Sequence, residues 1–307
     1  LEPGHMKDSL AAISSQEAEL LKDVSACEVR RSADADGKMT KMLSALNAPM
    51  ARVDQGFQHL LTDMEAKDRI QMLEWISNIP FGTNHNDIRA RHTPDTGKWL
   101  LEHDKFKTWD QGESSLFWLQ GSLGTGKTFL TSTVIDFVKS RLEDNPKDEG
   151  LAFFYLNRNE QARSDPLSAL QSIVRQLSTT MKRPEAVQEK LKALYDKCRE
   201  GGSSLTLEQC KEQILSSISI YQRTTIVIDA MDECDSESSD QLIDALTLFI
   251  SKSPTKNVKI FMSSRPDPEI KNLLEKTPNI DIDASDNKED IRKYLSEVLG
   301  KRARRDN

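Results

Sequence analysis

The chain has 307 residues, 37% of them hydrophobic and 30% charged, with a formal net charge of −7. That length supports one large or two modest domains with a sizeable core. The acidic balance argues against a nucleic-acid binder that relies on a basic face, and no apolar run approaches the roughly 20 residues that span a bilayer.

Residues 1–7 are set aside, because Leu1-Glu2-Pro3-Gly4-His5-Met6 has the look of a cloning-tag scar. Leu10, Ile13, Leu20, Leu21 and Val24 predict a helix over 8–33. Met39, Leu43, Leu46, Met50, Val53, Phe57, Leu60 and Met64 then recur in steps of four and three, a heptad seam. Pro49 marks a helix start or a kink within it. Two readings stand for 8–64: an oligomerising coiled coil, or a helical linker that folds on itself or on the next domain.

From residue 65 the pattern changes. A helix carrying Trp75 stops at Ile79-Pro80, and 81–97, rich in Gly, Asn, His, Asp, Thr and Pro, reads as an irregular loop. Trp99, Leu100 and Phe106 read as core of the short helical stretch after it, while His92 and His103 read as surface or local hydrogen-bonding residues. Apolar runs at 151–156, 224–229, 258–262 and 279–282, with one before Gly121, predict five strands. Amphipathic helices alternate with them, starting at Asp165-Pro166 and near 184, 206, 239 and 290. Strands alternating with helices predict an α/β fold with a mainly parallel five-stranded sheet flanked by helices. Cys27, Cys198, Cys210 and Cys234 show no metal spacing and suit reduced thiols of a cytoplasmic protein. No signal peptide is visible.

Gly121-Ser122-Leu123-Gly124-Thr125-Gly126-Lys127-Thr128 has the phosphate-binding spacing, placed between an apolar strand and an apolar helical pattern, and these residues with Phe129 are the candidate nucleotide-binding set. Such a loop needs glycine so that backbone N–H groups can curl around a phosphate. The helix N-terminus adds unpaired donors. Lys127 supplies charge to the β- and γ-phosphates, and the Thr128 hydroxyl is a Mg²⁺ ligand candidate. Asp229, at the end of a buried apolar strand, is the second Mg²⁺ candidate. Asp232 and Glu233 are candidates to orient or deprotonate the attacking water. The distance from Lys127 to Asp229 leaves room for a strand between the two motif strands, as in the additional-strand class of P-loop ATPases. Arg265 ends the neighbouring strand and is the candidate sensor of the γ-phosphate. The second strand is expected on one side of the phosphate-loop strand.

In this ordered set the chain resembles the NACHT family of STAND-class NTPases, most closely the fungal NOD-like receptors. The matching pieces are Trp118-Leu119-Gln120-Gly121, Gly126-Lys127-Thr128, Phe153-Phe154-Tyr155, Asp229-Ala230-Met231-Asp232-Glu233 and Ser263-Ser264-Arg265-Pro266, with Leu73-Glu74-Trp75-Ile76, Thr96-Gly97-Lys98-Trp99-Leu100-Leu101 and Trp109 upstream. The resemblance covers roughly residues 65–300 and implies a nucleotide-driven signalling switch with slow hydrolysis and self-association on activation, through the NACHT domain or the N-terminal helices. It implies ATP/ADP with Mg²⁺, GTP/GDP being the alternative. It also implies effector and repeat domains outside this sequence, and a 65–307 domain that ends before the family's winged-helix region. Without that region the loop is expected to be an open, weakly occupied site. No nucleic-acid or membrane partner is expected. In this family the base is held before the phosphate loop, which points to 79–92 with Ile79, Pro80 and Ile88. Asn287-Lys288-Glu289-Asp290 matches a guanine-reading signature, but Asn287 also suits the cap of the final helix. Two other functions remain open on the sequence: an efficient AAA+-like ATPase, and a helical scaffold with a vestigial nucleotide site.

Overall fold

The computed structural model describes residues 22, 67–113, 115–144, 149–179, 185–253, 257–274, 277–283 and 285–303. The chain divides into two units, Leu1–Arg69 and Ile70–Asn307. The expected 8–33 helix, the heptad seam, the tag scar and Cys27 lie outside the described residues. The sheet and its helices belong to the second unit.

The centre of that unit is a five-stranded sheet: β1 (Ser115–Gln120), β2 (Glu149–Tyr155), β3 (Arg223–Asp229), β4 (Val258–Ser264) and β5 (Asn279–Asp281). The order is β2-β3-β4-β1-β5, and every pairing is parallel. Both faces are covered, so β2 and β4 are buried throughout rather than alternating. β4 lies between β1 and β3, the additional-strand arrangement. The second strand differs from expectation. It does not flank β1 but forms the far edge beside β3, and β1 lies between β4 and β5.

Helices supply the layers: α1 (Phe81–Arg91), α2 (Lys98–Glu102), α3 (Asp104–Gln111), α4 (Lys127–Asp144), α5 (Pro166–Thr179), α6 (Glu185–Glu200), α7 (Leu207–Ile218), α8 (Ser236–Lys252), α9 (Pro268–Leu273) and α10 (Lys288–Ala303). Leu170, Ile173, Val174 and Leu177 of α5 pack with Ile214 and Leu246 against one face of the sheet. Leu100, Phe106, Leu130, Val134 and Val138 cover the other, around Phe117 and Phe261. Local rules set several helix starts. Asp165 accepts from the Ser168 amide at 3.0 Å, and Pro166 opens α5. Thr206 and Gln209 form a reciprocal capping box at α7. His103 accepts from the Lys105 amide to cap α3.

One segment departs from its composition. Residues 81–91, expected as irregular, form α1. His85 and Ile88 share its buried face, and Arg89 and Arg91 sit in the last turn, where they favour the helix dipole. His85 takes the place expected of an apolar residue: it is fully buried, bonded to the Tyr155 hydroxyl at 2.8 Å and Asp136 at 3.0 Å.

Candidate nucleotide site

β1 ends at Gln120, the loop 121–126 turns, and α4 begins at Lys127. Gly124 and Gly126 have φ of +81° and +83°, a region only glycine enters without strain. Lys127 Nζ reaches back over the loop and donates to the carbonyls of Gly121 at 2.6 Å and Ser122 at 2.9 Å. Thr125 Oγ1 closes the loop onto the Ser122 carbonyl at 2.9 Å. Burial lowers the Lys127 pKa, opposed by the charges of Asp232 and Asp229. Leu123 projects outward, 78% exposed.

Asp229 comes from β3 and is almost wholly buried. Its Oδ1 accepts from Thr131 at 2.7 Å and Ser263 at 2.6 Å. Burial raises its pKa, while bonds from Ser263, Thr131 and Thr128 oppose the rise. A buried carboxylate beside the Thr128 hydroxyl is a pair of hard oxygen donors, the chemistry that suits Mg²⁺ with phosphate oxygens and water completing its shell. Among the described residues there is no cluster of three His, Cys, Asp or Glu side chains that would hold a metal by itself.

After β3 the chain turns at Ala230, whose φ of +58° is unusual for a residue with a Cβ. The Ser263 hydroxyl accepts from the Ala230 amide at 3.0 Å, which ties this turn to β4. The short helix Met231–Glu233 then carries the two acids. Asp232 Oδ1 accepts from the Arg265 amide at 2.9 Å, and Oδ2 lies 3.1 Å from Arg265 Nε. Glu233 Oε1 is 3.6 Å from Arg265 Nη2. On its other side, Glu233 Oε2 accepts from Arg158 Nε at 2.7 Å. Trp118 of β1 donates to the Ser264 hydroxyl at 2.8 Å, which in turn donates to the Arg265 carbonyl.

The structure therefore brings together Gly121–Thr128, Asp229, Asp232, Glu233 and Arg265, at the carboxyl ends of three adjacent strands. This is where ligands lodge in open α/β sheets. A cavity of about 460 Å³ opens beside them, lined by Thr128, Asp229 and Glu233 together with Ile88, Arg91 and Tyr155. The residues expected at the base part company. Ile88 lines this cavity, whereas Ile79 and Pro80 line another. Phe129, next to Thr128, stacks on the His92 ring with centroids 5.5 Å apart.

Asn287 ties the last helix to the phosphate loop. It stands at the start of α10, and its side chain donates to the Thr125 carbonyl at 2.6 Å. Asp290 accepts from the Gly97 amide at 2.8 Å. The sequence points to neither Arg158 nor Thr131, and it offers Ser263 only as part of the segment that carries Arg265; the three meet the acidic motif across 34 to 98 residues of chain. No local spacing signals such contacts.

Comparison with known proteins fits this geometry. The family model described as Nephrocystin 3, N-terminal matches residues 95–265. The vegetative incompatibility protein HET-E-1 of Podospora anserina is 26% identical over 185 residues, 58% of this chain. The match spans 13% of that relative's length. Among solved structures, the Aeropyrum pernix ORC1 protein in complex with DNA is 16% identical, with a TM-score of 0.39, over 62% of this chain and 47% of that one. Domain III of the Thermotoga maritima replication initiation protein DnaA is 13% identical, with a TM-score of 0.35, over 68% of this chain and 73% of that one. The phosphate loop, the sheet order and the family match agree: the chain belongs to the Nephrocystin 3, N-terminal family, and its P-loop unit is a NACHT-like nucleotide-binding domain of the fungal NOD-like receptor type.

Proposed function

We propose that this domain is a nucleotide-dependent signalling switch that binds a nucleoside triphosphate, hydrolyses it slowly and thereby controls self-association. The observation that carries the reading is the convergence of Lys127, Asp229, the Asp232–Glu233 pair and Arg265 at the carboxyl end of the sheet. In this reading the amides of 121–128 and the N-terminus of α4 cradle the phosphates. Lys127 leaves the Gly121 and Ser122 carbonyls for the β- and γ-phosphates. Thr128 and Asp229 would hold Mg²⁺, which when bound neutralises charge on the phosphate oxygens. Glu233, or Asp232 beside it, takes a proton from water as the water oxygen bonds to the γ-phosphorus. The bond from the β–γ bridging oxygen to that phosphorus breaks, leaving nucleoside diphosphate and inorganic phosphate. Arg265 stabilises charge on the γ-phosphate. Ile88, in the cavity wall, and Phe129, next to Thr128, are the apolar groups offered to the base; Ile79 and Pro80 would contribute only from the other cavity.

ATP is the expected substrate and GTP the alternative. The site is expected to act in the cytoplasm, with effector and repeat domains of a longer protein as its partners, and without nucleic acid or membrane. Titration of the chain with ATP, ADP, GTP and GDP, each with Mg²⁺, tests the reading against Lys127→Ala. Wild type is expected to bind at least about tenfold more tightly than the variant. Equal binding by the two would sink the switch. Turnover above about one per second would replace it with an efficient ATPase.

A further inference from the structure

The Asn157–Glu160 turn after β2 holds an arginine against the acidic motif. Tyr155 pairs with Asp229 in the sheet register, and the Leu156 amide donates to the Asp229 carbonyl at 3.1 Å. The chain then turns through Asn157, whose side chain accepts from the Asn159 amide at 3.0 Å and donates to Glu160 at 2.8 Å. This fixed turn aims Arg158 at the acids. Its Nε and its own amide both donate to Glu233 Oε2, at 2.7 and 3.3 Å, and Nη2 donates to the Asp232 carbonyl at 2.7 Å. With Arg265 near Oε1, Glu233 lies between two guanidinium groups.

A general base needs a lone pair turned to the water it deprotonates. Charge-assisted bonds from a guanidinium occupy such lone pairs and fix the carboxylate's direction. Arg158 is 54% exposed on its side chain and Glu233 is 19% exposed, so water screens the pair and it adds little to stability. A contact that weak opens readily, which suits a latch better than a structural strut.

We propose that Arg158 is a positioning residue that holds Glu233 away from the attacking water and so limits the rate of hydrolysis in this domain. The inference rests on the reading of Glu233 as the base. When the latch opens, Glu233 swings toward the terminal phosphate while Asp232 and Arg265 stay paired.

The test compares wild type, Arg158→Gln, Arg158→Lys and Glu233→Gln, and the Arg158→Gln/Glu233→Gln double variant, for single-turnover hydrolysis and for nucleotide affinity. Arg158→Gln is expected to hydrolyse about tenfold faster, a fraction of what a freed general base can supply, with affinity within about twofold of wild type. Arg158→Lys keeps a cation but loses the fork, and is expected between the two. Glu233→Gln is expected to abolish hydrolysis, and Arg158→Gln to restore none of it in the double variant. If Arg158→Gln binds nucleotide normally but hydrolyses no faster than wild type, the latch is overturned while the site reading stands. If Arg158→Gln does not fold, as judged by thermal melting, the Arg158→Lys rate decides, and a rate no higher than wild type overturns the latch. A wild-type chain that binds no nucleotide overturns the reading of the site itself, whereas Glu233→Gln hydrolysing at the wild-type rate overturns Glu233 as the base and the latch with it.

Discussion

Asp229 shows at the scale of one residue how function and stability pull apart. Its carboxylate is buried, and burial raises its pKa against three hydroxyl donors. In the nucleotide-free fold burial works against the charged form of Asp229, while the hydroxyl bonds and the Lys127 charge work for it. Asn at this position keeps an oxygen for Thr131 and Ser263 and removes the charge. Asp229→Asn is expected to raise the stability of the nucleotide-free chain by about 1–2 kcal/mol, seen as a higher melting temperature. It is also expected to lose the extra stabilisation that Mg²⁺ and nucleotide together give wild type. A variant that melts lower than wild type without ligand would show the charge to be well compensated. The place of Asp229 at the carboxyl end of a buried strand was legible in the sequence, because the acid closes a continuous apolar run. The role of Ser263 was not, since its value lies in bonding both Asp229 and the strained turn at Ala230. A serine says nothing of that until β4 is known to lie beside β3.

Elements were legible where a single rule dominated. β2, β3 and β4 read as buried strands because parallel sheets covered on both faces need continuous apolar runs. α1 was not legible, because its buried face is built from a polar His85 and its first turn holds Gly82. Lys259 broke the apolar pattern of β4, yet it is fully buried and spans to the carbonyls of Trp109, Gly112 and Glu113 at the end of α3. The outer edge of β2 hides a similar device. The Gln176 side chain of α5 accepts from the Phe153 amide at 3.0 Å and donates to its carbonyl at 2.7 Å, as a neighbouring strand would. It blunts an edge that would otherwise offer buried, unpaired backbone. Gln176→Leu fills the same space and leaves both groups without that partner. The expected cost is about 2–4 kcal/mol, measured by chemical denaturation, with greater aggregation at high protein concentration. A cost below about 0.5 kcal/mol would mean that water or a backbone shift replaces the bonds.

Across the whole unit, the phosphate loop is bonded to segments far away in sequence. The Ile282 amide donates to the Gln120 carbonyl at 2.9 Å, where β1 hands over to the loop. Asn287 holds the Thr125 carbonyl, Asp290 holds the Gly97 amide, and Lys293 reaches the Asp95 carbonyl at 3.0 Å. The lead-in to α2, the loop and the start of α10 thus form one bonded cluster. A ligand that orders the loop lowers the free energy of every arrangement in which those bonds persist. Beyond this cluster α10 presents Ile291, Tyr294, Leu295 and Leu299, each about half exposed or more, so any change in its docking alters an apolar face. Hydrogen exchange with and without nucleotide measures the link. Binding is expected to slow exchange at 121–128 and, in parallel, at 288–295. Asn287→Ala is expected to keep the first effect and lose most of the second, with nucleotide affinity weakened by about three- to tenfold, since one bond holding the Thr125 carbonyl is gone. Equal α10 protection with and without nucleotide in wild type would show that the loop and the helix touch without being coupled, and the route from the phosphate site to α10 would then have to run through another element.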